Sequence, residues 1–255
     1  MKIIFAGTGS GKTSLKRYHT STLFSSAEFN LLLDAGDGIS RALMNAQIDF
    51  NSIDAILFSH FHPDHLNGIS SLLIQMKMNK REKSLRLLVH SNLYSSFIKF
   101  LETGYVFKER MGFDINILTY STDSFFRVSK DIAFISRENS HLKKYETSAE
   151  DSRLLISSSF LLFVESKRIF CSGDIGSLED LYLFEKEKFD AFLTEVTHID
   201  IALLKEVLLS INPESVYINH LSDESQEELQ LWLTSLPVSL RERIFLTFDA
   251  MSVTI

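Results

Sequence analysis

The sequence is poor in the residues that mark disulfide-stabilised, collagen-like or linker-rich proteins. Its 255 residues include one cysteine, three prolines and ten glycines. The single cysteine, Cys171, excludes an internal disulfide and a cysteine-rich zinc site. So few prolines and glycines exclude collagen and proline-rich linkers. No apolar run approaches the roughly 20 residues that span a bilayer, so a membrane partner is not expected.

An excess of positive charge is also lacking. Lysine and arginine total 26 against 33 acidic residues, a net charge of −7. A broad basic surface for long nucleic acid is therefore not expected, although a small positive cleft is still allowed. The first residues, Met1 to Ala6, have too short an apolar core for a secretory signal, so we expect a cytoplasmic protein.

What the sequence does contain is an ordinary globular balance, with 45% hydrophobic and 23% charged residues. This excludes wholesale disorder, because there is ample apolar side chain to bury. The length suits one large domain or two small ones. Because no stretch resembles a linker and no repeat is present, we predict one domain over residues 1–255.

Apolar runs bounded by turn residues predict strands, and apolar residues at helical spacing predict helices. The predicted strands are 2–6, 30–33, 53–59, 86–90, 116–120, 125–129, 131–136, 153–165, 168–171, 189–194, 216–219 and 244–248. The predicted helices are 39–46, 69–78, 93–101, 199–209 and 224–233. The chain opens rich in strands and alternates strands with helices in its second half. This order indicates an α/β protein with packed sheets and helices outside.

The strongest chemical signal is the run HFHPDH at residues 60–65, directly after a predicted buried strand. Its members His60, His62, Asp64 and His65 offer imidazole nitrogens and a carboxylate, the ligand types of zinc and similar divalent ions. A loop at a strand end can turn all four groups toward one point. Three of the eight histidines fall in this run, so a metal site is favoured over a solvated histidine-rich loop.

This HxHxDH run resembles the signature of the metallo-β-lactamase-like hydrolases. The segments FAGTGS (5–10) and LLLDAGDG (31–38) are similar to the opening of the ribonuclease Z branch. FCSGD (170–174) and VYINH (216–220) resemble the later strand ends of the family. The resemblance covers most of the chain and implies a four-layer αββα sandwich with a dinuclear metal site.

The resemblance also implies a ligand set. One ion would be held by His60, His62 and a later histidine, the other by Asp64, His65 and His220, with Asp174 bridging both. His90 and His141 are the candidates for the later histidine. We favour His141, because it follows a predicted strand and precedes the predicted hairpin.

The chemistry implied by these ligands is that of a metal-dependent hydrolase. Two divalent ions, zinc or alternatively manganese or iron, would lower the pKa of a bridging water. The resulting hydroxide would attack phosphorus or a carbonyl carbon, and Asp64 would orient it or shuttle its proton. Asp34 would accept the second ring N–H of a ligand histidine, which fixes the ring orientation.

The N-terminal motifs favour the ribonuclease Z-like and phosphodiesterase branch, with three departures from ribonuclease Z. The interval from His141 to Asp174 is too short for both a hairpin and the long tRNA-gripping arm. Thr194 replaces the histidine that precedes glutamate in the "HEAT"-like segment, and the nearby His198 is a substitute proton donor. Pro63 replaces the usual glycine in the HxHxDH loop.

We therefore predict a phosphodiesterase acting on a small or cyclic nucleotide or a short RNA end. The same metals serve hydrolysis of a carbonyl ester, thioester or lactone, and the ligand set does not decide between them. A metal-binding protein with little catalysis also stays open. The expected partner is a small molecule or short nucleotide, and the family resemblance allows a homodimer.

One motif points to another class. AGTGSGKT at residues 6–13 matches a relaxed Walker A pattern after a strand, which would cradle phosphates with backbone N–H groups. However, residues 14–19 make a poor helix, and no later strand ends in a magnesium-coordinating aspartate. We favour the metal reading, in which the glycine-rich turn only connects strands, and we assign Cys171 to the core.

Overall fold

The computed structural model describes residues 1–148 and 153–255, which form two seven-stranded sheets flanked by helices. The strands are β1 (Lys2–Gly7), β2 (Ser21–Ser25), β3 (Asn30–Leu33), β4 (Ala55–Leu57), β5 (Leu85–His90), β6 (Ile115–Tyr120), β7 (Phe125–Arg127), β8 (Ile132–Glu138), β9 (Ser158–Val164), β10 (Lys167–Cys171), β11 (Ala191–Thr194), β12 (Ser215–Ile218), β13 (Ile244–Leu246) and β14 (Met251–Thr254). The helices are α1 (Ile39–Asn45), α2 (Pro63–Leu66), α3 (Ile69–Met78), α4 (Tyr94–Thr103), α5 (Ile201–Ile211), α6 (Gln226–Ser235) and α7 (Val238–Arg241).

Each sheet has an antiparallel half and a parallel half. The first sheet has the order β14-β1-β2-β3-β4-β5-β6, with β3 to β6 parallel. The second has the order β13-β12-β11-β10-β9-β8-β7, with β10 to β13 parallel. Parallel neighbours need crossover connections, usually helical, and their carboxyl ends meet at one edge of the sheet. This edge carries the candidate site.

Three apolar clusters define the layers. One joins the first sheet to α1, α3 and α4, and another joins the second sheet to α5, α6 and α7. Between them, the inner faces of both sheets interlock through large side chains such as Phe5, Phe134 and Phe160. In α5 the buried residues recur at helical spacing: Leu204, Val207, Leu208 and Ile211. The predicted αββα sandwich is confirmed by this arrangement.

Two strands were not predicted. β2 is short, and the polar Ser21 and Ser25 at its ends leave too few apolar residues to predict a strand. It lies between β1 and β3. β14 alternates half-buried and exposed residues at the sheet edge, beside β1. Both pair with β1, which the sequence pattern did identify. Tertiary pairing, rather than local hydrophobicity, makes these segments strands.

Other predicted boundaries are corrected by the strand partners. The strand predicted over 153–165 begins only at Ser158, because its ladder with β8 starts where Glu138 faces Ser158. The strand predicted over 53–59 narrows to β4, which frees the residues after Leu57 for the site loop. Strands and helices alternate in both halves of the chain, and not only in the second, because the first sheet also has a parallel half.

The helices are short, and their apolar faces pack against the sheets. Across residues 1–148 and 153–255, none is long and apolar enough to cross a membrane. The central cluster draws side chains from both halves of the sequence. That residues 1–255 form one domain stays a prediction.

Candidate metal centre

The predicted donor residues come together at one edge of the sandwich in two groups. The first group is His60, His62, His141 and Asp174, and the second is Asp64, His65, Asp174 and His220. Within each group the donor atoms lie within 4.8 Å of one another, and Asp174 belongs to both. His90 is in neither group: it is buried at the end of β5, and its Nε2 lies 3.2 Å from the Thr122 hydroxyl.

The first sheet contributes the donors of the HFHPDH run. The run follows β4 and turns into α2, with His62 as the residue before the helix and Pro63 at its first position. Proline suits that position because the missing N–H would have no partner inside the helix. Asp64 and His65 lie in the single turn of α2, directly after His62.

Three separate strands of the second sheet contribute the other donors. His141 follows β8, Asp174 follows β10, and His220 follows β12 with a positive φ of 56°. Asp180 ties two of these loops together. Its carboxylate accepts hydrogen bonds from the backbone N–H and hydroxyl of Ser140 at 3.0 and 2.7 Å, and from the N–H of Gly176 at 2.8 Å.

In the first group the nitrogens converge closely. His62 Nδ1 lies 3.0 Å from His60 Nε2 and 3.2 Å from His141 Nε2. Burial lowers the pKa of His60 well below its ordinary value, lowers that of His62, and lowers that of His141 to about 4. The imidazoles are therefore neutral near pH 7, which is the form that binds a metal.

In the second group two histidines face two carboxylates. His220 Nε2 lies 3.1 Å from Asp64 Oδ2 and 3.3 Å from Asp174 Oδ1, and His65 Nε2 lies 3.2 Å from Asp174 Oδ1. Burial by itself would raise the pKa of Asp64, but the His220 hydrogen bond and the charges of His65 and His220 lower it to about 2. Asp174 likewise has its pKa held well below its ordinary value by His220 and His65, against the effect of burial.

These residues fit divalent ions. His65 Nε2 is buried and lies 3.2 Å from Asp174 Oδ1, yet it forms no hydrogen bond with any described residue. Buried polar atoms of this kind require an explanation, and an ion is one. Nitrogen and oxygen donors in this mixture suit zinc, and they also suit manganese or iron.

Asp34 supports the HFHPDH run through hydrogen bonds to His65 and to the preceding Ser59. Its Oδ2 accepts hydrogen bonds from His65 Nδ1 and from the Ser59 hydroxyl, both at 2.8 Å, and its Oδ1 accepts from the Ser59 N–H at 2.8 Å. Asp34 itself adopts a positive φ of 61° at the end of β3. The predicted contact between Asp34 and a ligand histidine is therefore present, and it sets the orientation of the His65 ring.

His198 lies beside both donor groups, 4.8 Å from the His141 ring and 6.1 Å from the His220 ring between centroids. Its Nδ1 lies 2.6 Å from Oε1 of the buried Glu195, and this hydrogen bond raises the pKa of His198. The sequence analysis did not identify Glu195 as the hydrogen-bond partner of His198. The three-residue spacing of the two side chains was the signal that could have identified it.

The glycine-rich turn covers Asp64 and does not start a helix. Residues 12–20 contain no helix and lead into β2, so the Walker A reading fails at its defining feature. A Cβ at Gly11 would lie 3.3 Å from Asp64 Oδ2, and one at Gly36 would lie 2.0 Å from the Asp64 carbonyl oxygen. Both glycines permit close approach of backbone to the metal-site loop.

Comparison with known proteins identifies the family of this chain. The model of the family described as "Anti-Pycsar protein Apyc1" matches residues 1–248. Ribonuclease Z of Aeropyrum pernix is 33% identical over 117 residues, which are 46% of this chain and 37% of that protein. The aligned part thus spans about a third of the length of this curated relative.

Among solved structures, human tRNase Z, short form, has a TM-score of 0.73 at 17% identity, covering 100% of this chain and 99% of that one. A diphosphatase from the PhnP family has a TM-score of 0.70 at 15% identity, covering 100% and 97%. These likenesses show the same fold. The chain therefore belongs to the Anti-Pycsar protein Apyc1 family, within the ribonuclease Z-like branch of the metallo-β-lactamase superfamily.

Proposed function

We propose that this protein is a phosphodiesterase that hydrolyses a small or cyclic nucleotide. The observation that carries the proposal is the pair of donor groups that share Asp174, with a proton-donor histidine beside them. Relatives named as a ribonuclease, a tRNase and a diphosphatase support a phosphorus centre over a carbonyl carbon. Hydrolysis of an ester, thioester or lactone is the alternative that the experiment below separates.

The proposed ligands of one ion are His60, His62, His141 and Asp174, and those of the other are Asp64, His65, His220 and Asp174. Zinc is the proposed metal, with manganese and iron as alternatives. When bound, the two ions supply Lewis acidity and a water of lowered pKa. Orientation of the water and protonation of the leaving group are assigned to Asp64 and His198.

Asp64 is proposed to orient the attacking water. Its pKa of about 2 keeps the carboxylate ionised near pH 7, so it acts as a hydrogen-bond acceptor. His220 contacts its Oδ2, and the backbone of Gly11 closes one side of it. The carboxylate therefore has a fixed direction, which is what an orienting group needs.

His198 is proposed to protonate the leaving oxygen. Glu195 accepts the Nδ1 proton and favours the charged imidazolium, which leaves the Nε2 proton for donation. A positioned acid of this kind contributes about 100- to 10,000-fold in rate. The buried Glu195 is itself fixed by the N–H groups of Ile175 and Thr197, at 3.0 and 2.6 Å, so the donor keeps its orientation.

A small substrate is favoured over long RNA. Between His141 and Asp174, the described residues include a short turn, β9 and β10, and the interval is short for an added RNA-binding arm. The net charge of −7 also disfavours extended phosphate contacts. A cytoplasmic location and a homodimer remain predictions from the sequence.

The test combines metal content with a substrate panel. Purified protein is analysed for ions per chain and assayed on bis(p-nitrophenyl) phosphate and cyclic nucleotides, beside a thioester and a lactone, with and without chelator. Two ions and chelator-sensitive phosphodiester cleavage are expected. Carbonyl hydrolysis alone would overturn the substrate class, and two bound ions without any hydrolysis would favour a binding protein.

A further inference from the structure

A half-exposed aromatic side chain lies beside one histidine of the first donor group, and no step above uses it. Tyr145 is 51% exposed, and its ring lies 6.2 Å from the ring of His62 at an angle of 84°. The geometry points to Tyr145 as the surface on which the nucleobase of the substrate stacks. Lys144, beside it, would contact the anionic groups of the same substrate. This inference rests on the proposed function and names the recognition element of the same site.

The position of Tyr145 follows from the ligand loop. Only three residues separate it from His141, and a single 3-10 turn, Lys143–Tyr145, connects them. The turn is closed by hydrogen bonds from the Tyr145 N–H to the Leu142 carbonyl oxygen at 3.0 Å, and from the Glu146 N–H to the Lys143 carbonyl oxygen at 3.1 Å. The ring is thus held at a short, fixed offset from a proposed metal ligand.

The N-terminal side of this turn is anchored by the residues just before it. Leu142 is buried, and Ser140 is bound to the Asp180 carboxylate through both its backbone N–H and its hydroxyl. Because Asp180 also binds the loop after Asp174, the turn and the metal centre share one support. An aromatic surface supported in this way loses little freedom when a flat ligand stacks on it.

The charge beside the ring suits a nucleotide. Lys144 Nζ lies 5.2 Å from the centroid of the Tyr145 ring, and both side chains are exposed. Aromatic rings stack on bases of any sequence, and a neighbouring cation adds attraction for phosphate. A nucleotide whose phosphate sits at the donor groups holds its base one ribose away, and the Tyr145 ring lies 6.2 Å from the ring of His62, a proposed ligand.

A purely structural role makes a different prediction. Tyr145 packs edge-on against His62 and could serve only to shield that imidazole from water. In that case its loss would lower bound metal and weaken every ligand of the site equally. A stacking role affects only ligands that carry a base. Matched ligands with and without a base therefore separate the two roles.

The test measures binding to the zinc-loaded full chain by calorimetry. The probes are cytidine 5′-monophosphate, adenosine 5′-monophosphate and ribose 5-phosphate, which share a phosphorylated ribose. Tyr145→Ala is expected to weaken both nucleotides roughly 5- to 150-fold, as loss of one stacked ring does. Ribose 5-phosphate should change less than about twofold, since it cannot stack. Tyr145→Phe should retain nucleotide binding.

Two further variants complete the design. Tyr105→Ala removes a tyrosine that is 82% exposed in the turn after α4 and belongs to neither donor group, so all three affinities should be unchanged. Lys144→Gln should weaken all three probes together, and more at low salt, because it removes charge and leaves the ring.

Equal weakening of all three probes by Tyr145→Ala, or no weakening, would overturn the stacking role. So would a wild-type protein with no preference for the nucleotides over ribose 5-phosphate. The proposed function fails separately, through absent cleavage of bis(p-nitrophenyl) phosphate by wild-type protein with two ions bound.

Discussion

The two sheets contribute to the candidate metal centre in opposite ways. The first sheet delivers four donors within six consecutive residues, on one loop after β4 and one turn of α2. The second sheet delivers three donors from the ends of three strands that are far apart in sequence. Local chain geometry arranges the first set, whereas only the folded sheet arranges the second.

This difference has an energetic side. The donors of the first loop stay close together even when the sheets separate, because they are near neighbours in the chain. His141, Asp174 and His220 meet only when β8, β10 and β12 are in register. We therefore expect metal binding to the complete site to be coupled to folding mainly through the second sheet, since ions that bind only the native state stabilise it.

The largest effect is expected for the residue on which both donor groups depend. Asp174→Ala removes the carboxylate shared by the two groups, so at most one ion should remain tightly bound. Phosphodiesterase activity should fall about 10,000-fold or more, because each ion contributes several kcal/mol to the transition state. Ion content by mass spectrometry and kcat/KM on bis(p-nitrophenyl) phosphate check this.

The matched control for this variant is Asp190→Asn, which changes a carboxylate just before β11, at the opposite end of the parallel strands. Asp190 binds Lys167 and the Arg168 N–H, away from the donor groups. It should keep two ions and full activity. Two ions per chain in Asp174→Ala would refute the shared role.

The sequence predicted the first sheet's donors better than the second's, for a physical reason. In HFHPDH the spacing alone brings the side chains together, so no knowledge of the fold is needed. His90 ends one predicted strand and His141 follows another, and the sequence cannot say which sheet each strand joins. Pairing decides it: β5 joins the first sheet and β8 the second. Glu195 was missed for a different reason: it contacts His198 across a local turn, which only their three-residue spacing indicates.

The αββα layering was predictable because the strand and helix periodicities are local and the family motifs are ordered along the chain. β2 and β14 were not, because they owe their structure to their neighbour β1. The hydrogen bonds of Asp180 could also not be predicted from the sequence. They join loops after β8 and β10 that no spacing rule connects.

The next largest effect distinguishes the two candidate histidines. His141→Ala should remove one ion and lower kcat/KM about 1,000-fold, as expected for loss of several kcal/mol of metal stabilisation. His90→Ala should keep both ions, because His90 contacts Thr122 outside the donor groups. Metal analysis of both variants decides, with thermal unfolding to show that each is folded. Loss of an ion in the His90 variant alone would reverse the assignment.

A smaller effect is expected at the proposed proton donor, and it depends on the leaving group. His198→Ala should slow cleavage of a cyclic nucleotide about 100-fold or more, because the alkoxide leaves poorly without a proton. Bis(p-nitrophenyl) phosphate should be affected much less, since nitrophenolate is a stable leaving group. Rates on the two substrates, at unchanged metal content, are the measurement. Equal slowing of both substrates would contradict the role of His198 in proton donation.

The support of the first sheet can be tested at Asp34. Asp34→Asn keeps the shape but replaces the oxygen anion that His65 Nδ1 and Ser59 contact. Metal affinity should fall about 10- to 100-fold, as is typical when the hydrogen-bond partner of a ligand histidine is lost. Competition with a fluorescent zinc chelator measures the change. An unaltered affinity would mean that the His65 ring is positioned by packing alone.

The corresponding residue in the second sheet is Asp180. Its substitution should lower the stability of the protein more than its metal affinity, the reverse of what is expected at Asp34. Asp180→Asn weakens several hydrogen bonds to the loops of His141 and Asp174 without touching a donor group. The free energy of unfolding should fall by about 1–3 kcal/mol, the cost of leaving buried polar groups unpaired. Metal affinity should change less than in Asp34→Asn, because Asp180 acts on backbone position and not on an imidazole.

Denaturant unfolding and chelator competition on the two variants give both quantities. If Asp180→Asn proves the more damaging to metal binding, loop position governs the centre more strongly than ring orientation does, and the second sheet is the part of the protein that determines affinity.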